Sequence, residues 1–260
     1  MTTPIIEDQV KKKLVDQCLD NWLGYGNPNG KVWFIGTEEG GAEIWRSFKT
    51  QSLESSLVIR KDFKLQMDFV DVWEQLYQIP LSNFKGPSVW SFIAAFILEF
   101  GNQAADPKSV KEYIFTNKCL GRPHSDHFLC EFLPLPKRKK NEIEPYKMIW
   151  ETVAVYRAKV EESRFEKILR TIKSNANVKL LVSYEGTLSA KLSKMFEREG
   201  IEELESFGNA RNESSKKYSI HKIQISPQRD ILLLKTPFFG NGCISYGDIS
   251  KAVQKIKEYI

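Results

Sequence analysis

Lys31-Val-Trp-Phe-Ile-Gly-Thr-Glu-Glu-Gly-Gly41 sets a run of β-branched and aromatic residues directly against a glycine-flanked pair of carboxylates. Val32 to Ile35 have the makeup of a buried strand, and Gly36, Gly40 and Gly41 let the backbone turn sharply and approach a ligand. Glu38 and Glu39 then fall just beyond the carboxyl end of a parallel strand, where open α/β sheets bind their ligands. A solvated turn carrying two surface acids would read the same way, so the other segments have to decide.

Outward from this strand, residues 7 to 23 read as an amphipathic helix with Val10, Leu14, Cys18 and either Leu19 or Trp22 on one face, ended by the turn Gly24-Tyr-Gly-Asn-Pro-Asn-Gly30. Helical patterns follow at 62 to 77 and 87 to 100, the second opened by Gly86-Pro87-Ser88. Tyr113 to Thr116 reads as a second strand ending in Asn117, and Phe128 to Leu133 as a further extended run before a proline and lysine loop over 134 to 147. A polar helix over 146 to 173, a strand over Val178 to Ser183 and a helix over 187 to 199 come next. A last strand over Ile231 to Lys235 leads into the loop Thr236-Pro-Phe-Phe-Gly-Asn-Gly242 and a closing helix over 246 to 259. Strands alternating with helices predict a three-layer αβα sandwich with a mainly parallel central sheet, in one domain spanning 1–260 with an N-terminal helix.

Size and composition narrow the classes. The 260 residues, 42% of them apolar, can fill a sizeable core, so disorder is not expected. A net charge of +5 is well short of a histone-like excess, and any nucleic-acid affinity would come from local patches such as Pro136-Lys-Arg-Lys-Lys140. No apolar run is long enough to span a membrane and the first residues turn charged too early for a signal peptide, which predicts a soluble, cytoplasmic protein. Cys18, Cys119, Cys130 and Cys243 form no disulfide framework and no C-x-x-C pair, so reduced thiols are expected.

Three strand ends are predicted to meet at one edge of the sheet: Gly36-Thr-Glu-Glu-Gly40, Thr116-Asn117 and Thr236-Pro-Phe-Phe239. In this arrangement the chain resembles the uracil-DNA glycosylase superfamily, whose members carry a G-x-x-x-G motif after a core strand, an asparagine after the next, and a late motif of the H-P-S type. Gly36 to Gly40 is similar to the family's water-activating loop. Tyr113-Ile-Phe-Thr-Asn-Lys-Cys119 with Arg122-Pro123 is similar to the I-T-N-x-x-K-C-R-P stretch of its thermophilic iron–sulfur branch. Arg164 through Leu192, including Leu180-Leu-Val-Ser-Tyr-Glu-Gly186, resembles the family's helix, strand, glycine turn and helix, and Thr236-Pro237 stands where the family has His-Pro.

The departures matter as much. Thr236 can donate a hydrogen bond but cannot carry the positive charge of the missing histidine. Only Cys119 falls on a plausible cluster-ligand position, so no iron–sulfur cluster and no other cofactor is expected. Cys119, His124, His127 and Cys130 are capable of binding zinc, but their C-x4-H-x2-H-x2-C order is not a usual zinc spacing, and no metal is expected. His127 could instead line the cleft or touch phosphate.

What the resemblance implies is hydrolysis of an N-glycosidic bond, which builds positive charge on the sugar and negative charge on the departing base. Glu38 or Glu39 would activate water and stabilise the sugar, with Glu38 favoured by alignment with the family's acid, and Asn117 would read the edge of the base. Gly36, Thr37, Gly40 and Thr236 would line the base pocket, with Trp45 or Phe48 stacking on the extruded base unless either is core. Phe238 and Phe239 would wedge into the base stack, wall the pocket or simply end a buried strand. Lys118, Arg122, Lys137, Arg138, Lys139 and Lys140 would contact phosphate. The expected protein is a monomeric DNA glycosylase acting on a flipped-out pyrimidine, unmodified or modified, in repair or in defence against DNA with unusual bases. The alternatives are a non-catalytic nucleic-acid-binding protein and a hydrolase of small nucleotides or nucleosides.

Overall fold

The computed structural model describes residues 4–40, 55–83, 88–137, 139, 141–144, 146–215, 217–240 and 242–260, with the side chains of 4–9, 39, 40, 55, 56, 88 and 215 outside the description. Trp45, Phe48, Arg138 and Lys140 therefore lie outside the described residues, as does the side chain of Glu39.

The chain is α/β, built among the described residues on one mixed sheet of eight strands. In chain order these are β1 (Gly24–Gly26), β2 (Val32–Gly40), β3 (Gln66–Met67), β4 (His127–Lys137), β5 (Leu180–Ser183), β6 (Ile201–Phe207), β7 (Tyr218–Ser226) and β8 (Arg229–Lys235). Their order across the sheet is β3-β1-β4-β2-β5-β8-β7-β6, and β4, β2, β5 and β8 form a parallel centre. The remaining strands frame it, β1 antiparallel on β4 and the β6–β7 pair antiparallel on β8. These central strands are near-continuous apolar runs because both their faces are covered: Trp33, Phe34, Leu180, Leu181, Val182, Leu233 and Leu234 are all fully buried.

The main described helices are α1 (Pro4–Asn21), α2 (Ser55–Arg60), α3 (Phe69–Asp71), α4 (Ser88–Phe100), α5 (Pro107–Lys111), α6 (Val153–Ser174), α7 (Gly186–Phe196) and α8 (Tyr246–Lys257). The caps are explicit in the sequence. Thr152 accepts from the Val155 N–H to start α6, and Ser245 with Asp248 forms a reciprocal capping box on α8. None of the described helices is long and apolar enough to cross a membrane.

Several boundaries differ from the sequence reading. The strand expected at 31–36 runs on to Gly40, so Glu38 sits inside β2, paired at Leu133 of β4, rather than in a turn. Tyr113–Thr116 is not a strand. Asp106 caps α5 by accepting from the Lys108 and Ser109 N–H groups, Pro107 fits its first turn, and the helical path continues as a wide turn over Glu112–Thr116. The β-prone run Tyr-Ile-Phe-Thr is thus carried by a helix start that precedes it, with Ile114 wholly buried. On α1 the described buried positions are Val15 and Cys18, with Trp22 buried just beyond its end, while Val10 is 54% exposed. β1, β3, β6 and β7 were not foreseen: β3 interrupts the helix expected over 62–77, leaving α3 and a wide turn over Val72–Leu76, and β6, with Glu202, Glu203 and Glu205, lies at the sheet edge and lacks the apolar signature of a core strand.

Candidate active site at the carboxyl edge of the sheet

From β2 the chain passes to β4 on one side and then returns to β5 on the other, which makes the gap between β2 and β5 a topological switch point. Residues leaving β2 and β5 at their carboxyl ends meet there. The Thr37 hydroxyl donates to Glu185 Oε2 across the gap. Tyr184 lies beside them, stacked on Phe239 at 5.1 Å between ring centroids.

Gly36 is needed by this packing. A Cβ at that position would lie 2.3 Å from the Tyr184 hydroxyl and 3.0 Å from Glu131 Oε2, so the absence of a side chain is what lets the phenol and the carboxylate crowd over the β2 backbone. Glu131 is the register partner of Gly36 on β4. Its carbonyl is fixed from behind by the buried Arg164, whose Nη2 donates to Glu131 O at 2.8 Å and to Leu23 O at 3.1 Å. A guanidinium with its donors spent on carbonyls clamps β4 to the 22–23 segment and has a positioning role, not a catalytic one.

Glu38 is the central group. Its side chain is 10% exposed, and Oε2 lies 3.1 Å from Nζ of Lys137, whose own side chain is 0% exposed. Among the described residues Glu38 Oε1 has no hydrogen-bond partner. Burial raises its pKa above the ordinary carboxylate value, opposed chiefly by Lys137 and more weakly by Arg157, with Glu185 adding to the rise. A carboxyl group held this way can orient water or move a proton. Tyr184, largely buried, has its phenol pushed far up by burial and then by Glu131, so it stays protonated and can donate.

The predicted site residues divide into those gathered here and those placed elsewhere. Gly36, Thr37, Glu38 and the backbone of Glu39 and Gly40 lie along the end of β2, Gly40 facing Lys137 of β4. Thr236 is at the same edge: its N–H donates to Ser183 O at 2.9 Å and its buried hydroxyl turns back to Pro237 O. Phe238 is 46% exposed and free to meet a ligand. Phe239 is wholly buried against Tyr184 and Phe92, so it is core and wall rather than a wedge. Lys137 is no phosphate contact, because it is spent on Glu38 and lies 5.9 Å from the centroid of the Tyr156 ring. Lys139 is exposed and pairs with Glu142.

Asn117, Lys118 and Arg122 are not part of this cleft. They line a separate cavity with Lys31, Val32 and His127, the residues that begin β2 and β4, at the opposite edge of the sheet. The reversal follows from the helical path of residues 107–116, which delivers Asn117 to the amino edge where a strand would have delivered it to the carboxyl edge. His127 is likewise at the amino edge: it is buried, its Nε2 accepts from the Gly121 N–H at 2.8 Å, and burial pushes its pKa down to about 4. No group of three or more potential metal ligands converges among the described residues.

Glu131, Tyr184, Glu185 and Arg157 are site residues that the sequence reading did not single out. Two of them had signals. Glu131 is a lone acid in the apolar run Phe128-Leu-Cys-Glu-Phe-Leu-Pro-Leu135, and Glu185 precedes a glycine directly after a core strand, as Glu39 does. The chain matches no protein-family model and no curated protein.

Proposed function

We propose that the carboxyl-edge cleft hydrolyses an N-glycosidic bond, and that its substrate is a pyrimidine nucleotide flipped out of DNA. The proposal includes distant membership of the uracil-DNA glycosylase superfamily and a three-layer αβα arrangement. The observation that carries it is Glu38: a buried carboxyl at a topological switch point, raised in pKa, with one oxygen against a lysine and the other without a described partner. Such a group is suited to hold an attacking water below a sugar on which positive charge develops, while a protonated Tyr184 can donate to the departing base or to a sugar hydroxyl, and the Thr37 oxygen, its proton given to Glu185, can accept from one. The layer arrangement follows from right-handed crossovers. β2 to β4 runs one way through α4, whereas β4 to β5 and β5 to β8 run the other way through α6 and α7, so the two sets of helices fall on opposite faces. Thr236-Pro237 at the carboxyl end of β8 supports the family resemblance, because the Thr236 N–H bonds to Ser183 at the end of β5 and so brings the late motif to the edge that carries Glu38. The base edge must then be read by Glu131, Tyr184 or Glu185 rather than by Asn117.

Incubation with a panel of DNAs carrying natural and modified bases, followed by alkali and mass spectrometry, tests this. Release of a free base with an abasic site is expected, and it should vanish in Glu38→Gln. Absence of release from every DNA, or full activity in both Glu38→Gln and Glu39→Gln, would overturn the reading.

One observation favours the alternative of a small nucleoside hydrolase with the same chemistry: three of the cations proposed for phosphate are matched by carboxylates, Lys118 by Glu74, Arg122 by Asp68 and Asp71, and Lys137 by Glu38. Duplex binding separates the two. A DNA enzyme loses affinity steeply with salt, and a nucleoside hydrolase shows no such binding to lose.

A further inference from the structure

We propose that the cavity at the amino edge of the sheet is a second binding site, for an uncharged flat heterocycle with hydrogen-bonding edges: a free nucleobase or a nucleoside. The cavity measures ≈ 620 Å³, within the range of about 300–1,000 Å³ usual for small-molecule sites. Val32, Ile97 and Phe100 supply apolar lining, and the Tyr113 ring adds a second aromatic surface. Flat rings stack on such surfaces.

The polar groups fit an uncharged ligand. Asn117 and Gln103 line the cavity and are exposed, and each amide offers a donor and an acceptor to a base edge. Burial raises the Tyr113 phenol, which therefore remains a donor at neutral pH. The cations at the rim are already matched: Lys31 by Asp126 at 3.2 Å, Lys118 by Glu74 at 2.6 Å, and Arg122 by Asp68 at 3.0 Å and Asp71 at 3.5 Å. His127 adds no charge, because its Nε2 accepts a hydrogen bond from a backbone N–H and the ring is neutral. With each of the three lining cations already paired to a carboxylate, Asp126 within the lining and Glu74, Asp68 and Asp71 behind it, their attraction for a phosphate is weakened, whereas amides, a phenol and an aromatic ring remain to recognise a neutral heterocycle.

This site is distinct from the carboxyl-edge cleft. Val32 and Glu38 stand at opposite ends of β2, six residues apart, which is roughly 20 Å along a strand. Binding here does not depend on the glycosidic reaction proposed there.

Calorimetric titration of the full chain with uracil, cytosine, adenine and guanine, their 2′-deoxynucleosides and the matching 5′-monophosphates tests the proposal. The expected result is saturable one-to-one binding of at least one base or nucleoside, with the corresponding monophosphate at least tenfold weaker. Asn117→Leu should weaken binding at least tenfold and Tyr113→Phe severalfold, with Glu38→Gln unchanged. Gln103→Ala, at an exposed position, provides a second variant should Asn117→Leu fail to fold, and it too should weaken binding. Three results would overturn the proposal: no saturable binding of any compound, tighter binding of the monophosphates, or binding lost in Glu38→Gln and retained in Asn117→Leu, which would put the ligand in the other cleft.

Discussion

Replacing Lys137 by methionine keeps the length and apolar stem of the side chain and deletes the cation that lies 3.1 Å from Glu38. At 3.1 Å the pair's Coulomb attraction is about 5 kcal/mol for an effective dielectric of about 20, before the cost of burying both ions is subtracted. Neighbouring opposite charge typically lowers a carboxyl by about 1–3 pKa units, so its loss should raise Glu38 by that amount, about 1.4–4 kcal/mol at 1.36 kcal/mol per unit. The sign follows from the direction already present. Burial sets Glu38 above its unfolded value, and a raised carboxyl favours the fold while protonated, a contribution lost as pH rises through the folded pKa. With Lys137 gone the folded pKa is higher still, and Arg157 is left to oppose burial and Glu185. The variant should therefore fall further below wild type at pH 8 than at pH 5, with the gap in Tm widening by a few to about 15 °C. The acid limb of base release should move up by the same 1–3 units. Thermal melts at the two pH values and a pH–rate profile read both effects, and Lys137→Met combined with Glu38→Gln should recover most of the stability lost at pH 8. A Tm gap equal at pH 5 and pH 8 would refute the assignment of Lys137 as the group that holds Glu38 ionised.

Glu38→Gln should abolish base release while leaving DNA affinity within a few fold, since it removes a charge needed mainly in the transition state; filter binding beside the release assay checks this. Gly36→Ala should cost about 1–3 kcal/mol by driving a methyl group into the Tyr184 hydroxyl, with lower activity in the folded variant, as measured by denaturant melts and base release. Phe239→Ala should cost about 3–5 kcal/mol as a buried ring is lost, whereas Phe238→Ala should leave stability within about 0.5 kcal/mol, so any effect of the latter on activity reports ligand contact. Lys139→Ala should weaken DNA binding slightly at low salt and leave the fold untouched, and an unchanged salt slope would show that its pairing with Glu142 removes it from any interface.

The parallel centre of the fold was legible because β2, β5 and β8 are apolar runs bounded by turn residues, and the helices over 186–196 and 246–257 carry regular apolar spacing. The 134–137 stretch misled for a physical reason. Pro134 and Pro136 read as loop, yet β4 extends through them because β1 pairs with it only between Phe128 and Cys130, and among the described residues no strand pairs with its far end on that side to miss their N–H groups. That extension buries Lys137, which composition alone had put on the surface. Glu38 was legible as an acid near a strand end, but its partners were not, since Lys137 reaches it from the neighbouring strand β4, while Glu185 beyond β5 and Arg157 on α6 act on it from elements whose places are fixed only by the crossover order. Asn117 failed differently. Tyr-Ile-Phe-Thr has strong strand propensity, and the helix signal Asp106-Pro107 lies too far upstream to weigh in a short window.

That single reversal changes what the molecule can do at each edge. In a parallel sheet every strand delivers its following residue to one side, so motifs read as strand–turn are automatically assigned to a shared cleft; a helical segment returning antiparallel to the strands delivers its last residue to the other side. Thr116-Asn-Lys-Cys119 ends such a segment, and the elements around it supply amide and phenol groups with matched charge. The strand ends proper supply Glu38, Glu131 and Glu185, an acid-rich group with one buried lysine. Carboxylates gathered in a crevice favour a reaction that builds positive charge on a sugar, and disfavour one that requires a phosphate to settle among them. A DNA substrate would therefore have to keep its phosphates outside the crevice, near exposed side chains such as Lys139, and admit only sugar and base to the carboxylates. Base flipping provides this geometry, since it rotates the nucleotide about a backbone that stays outside.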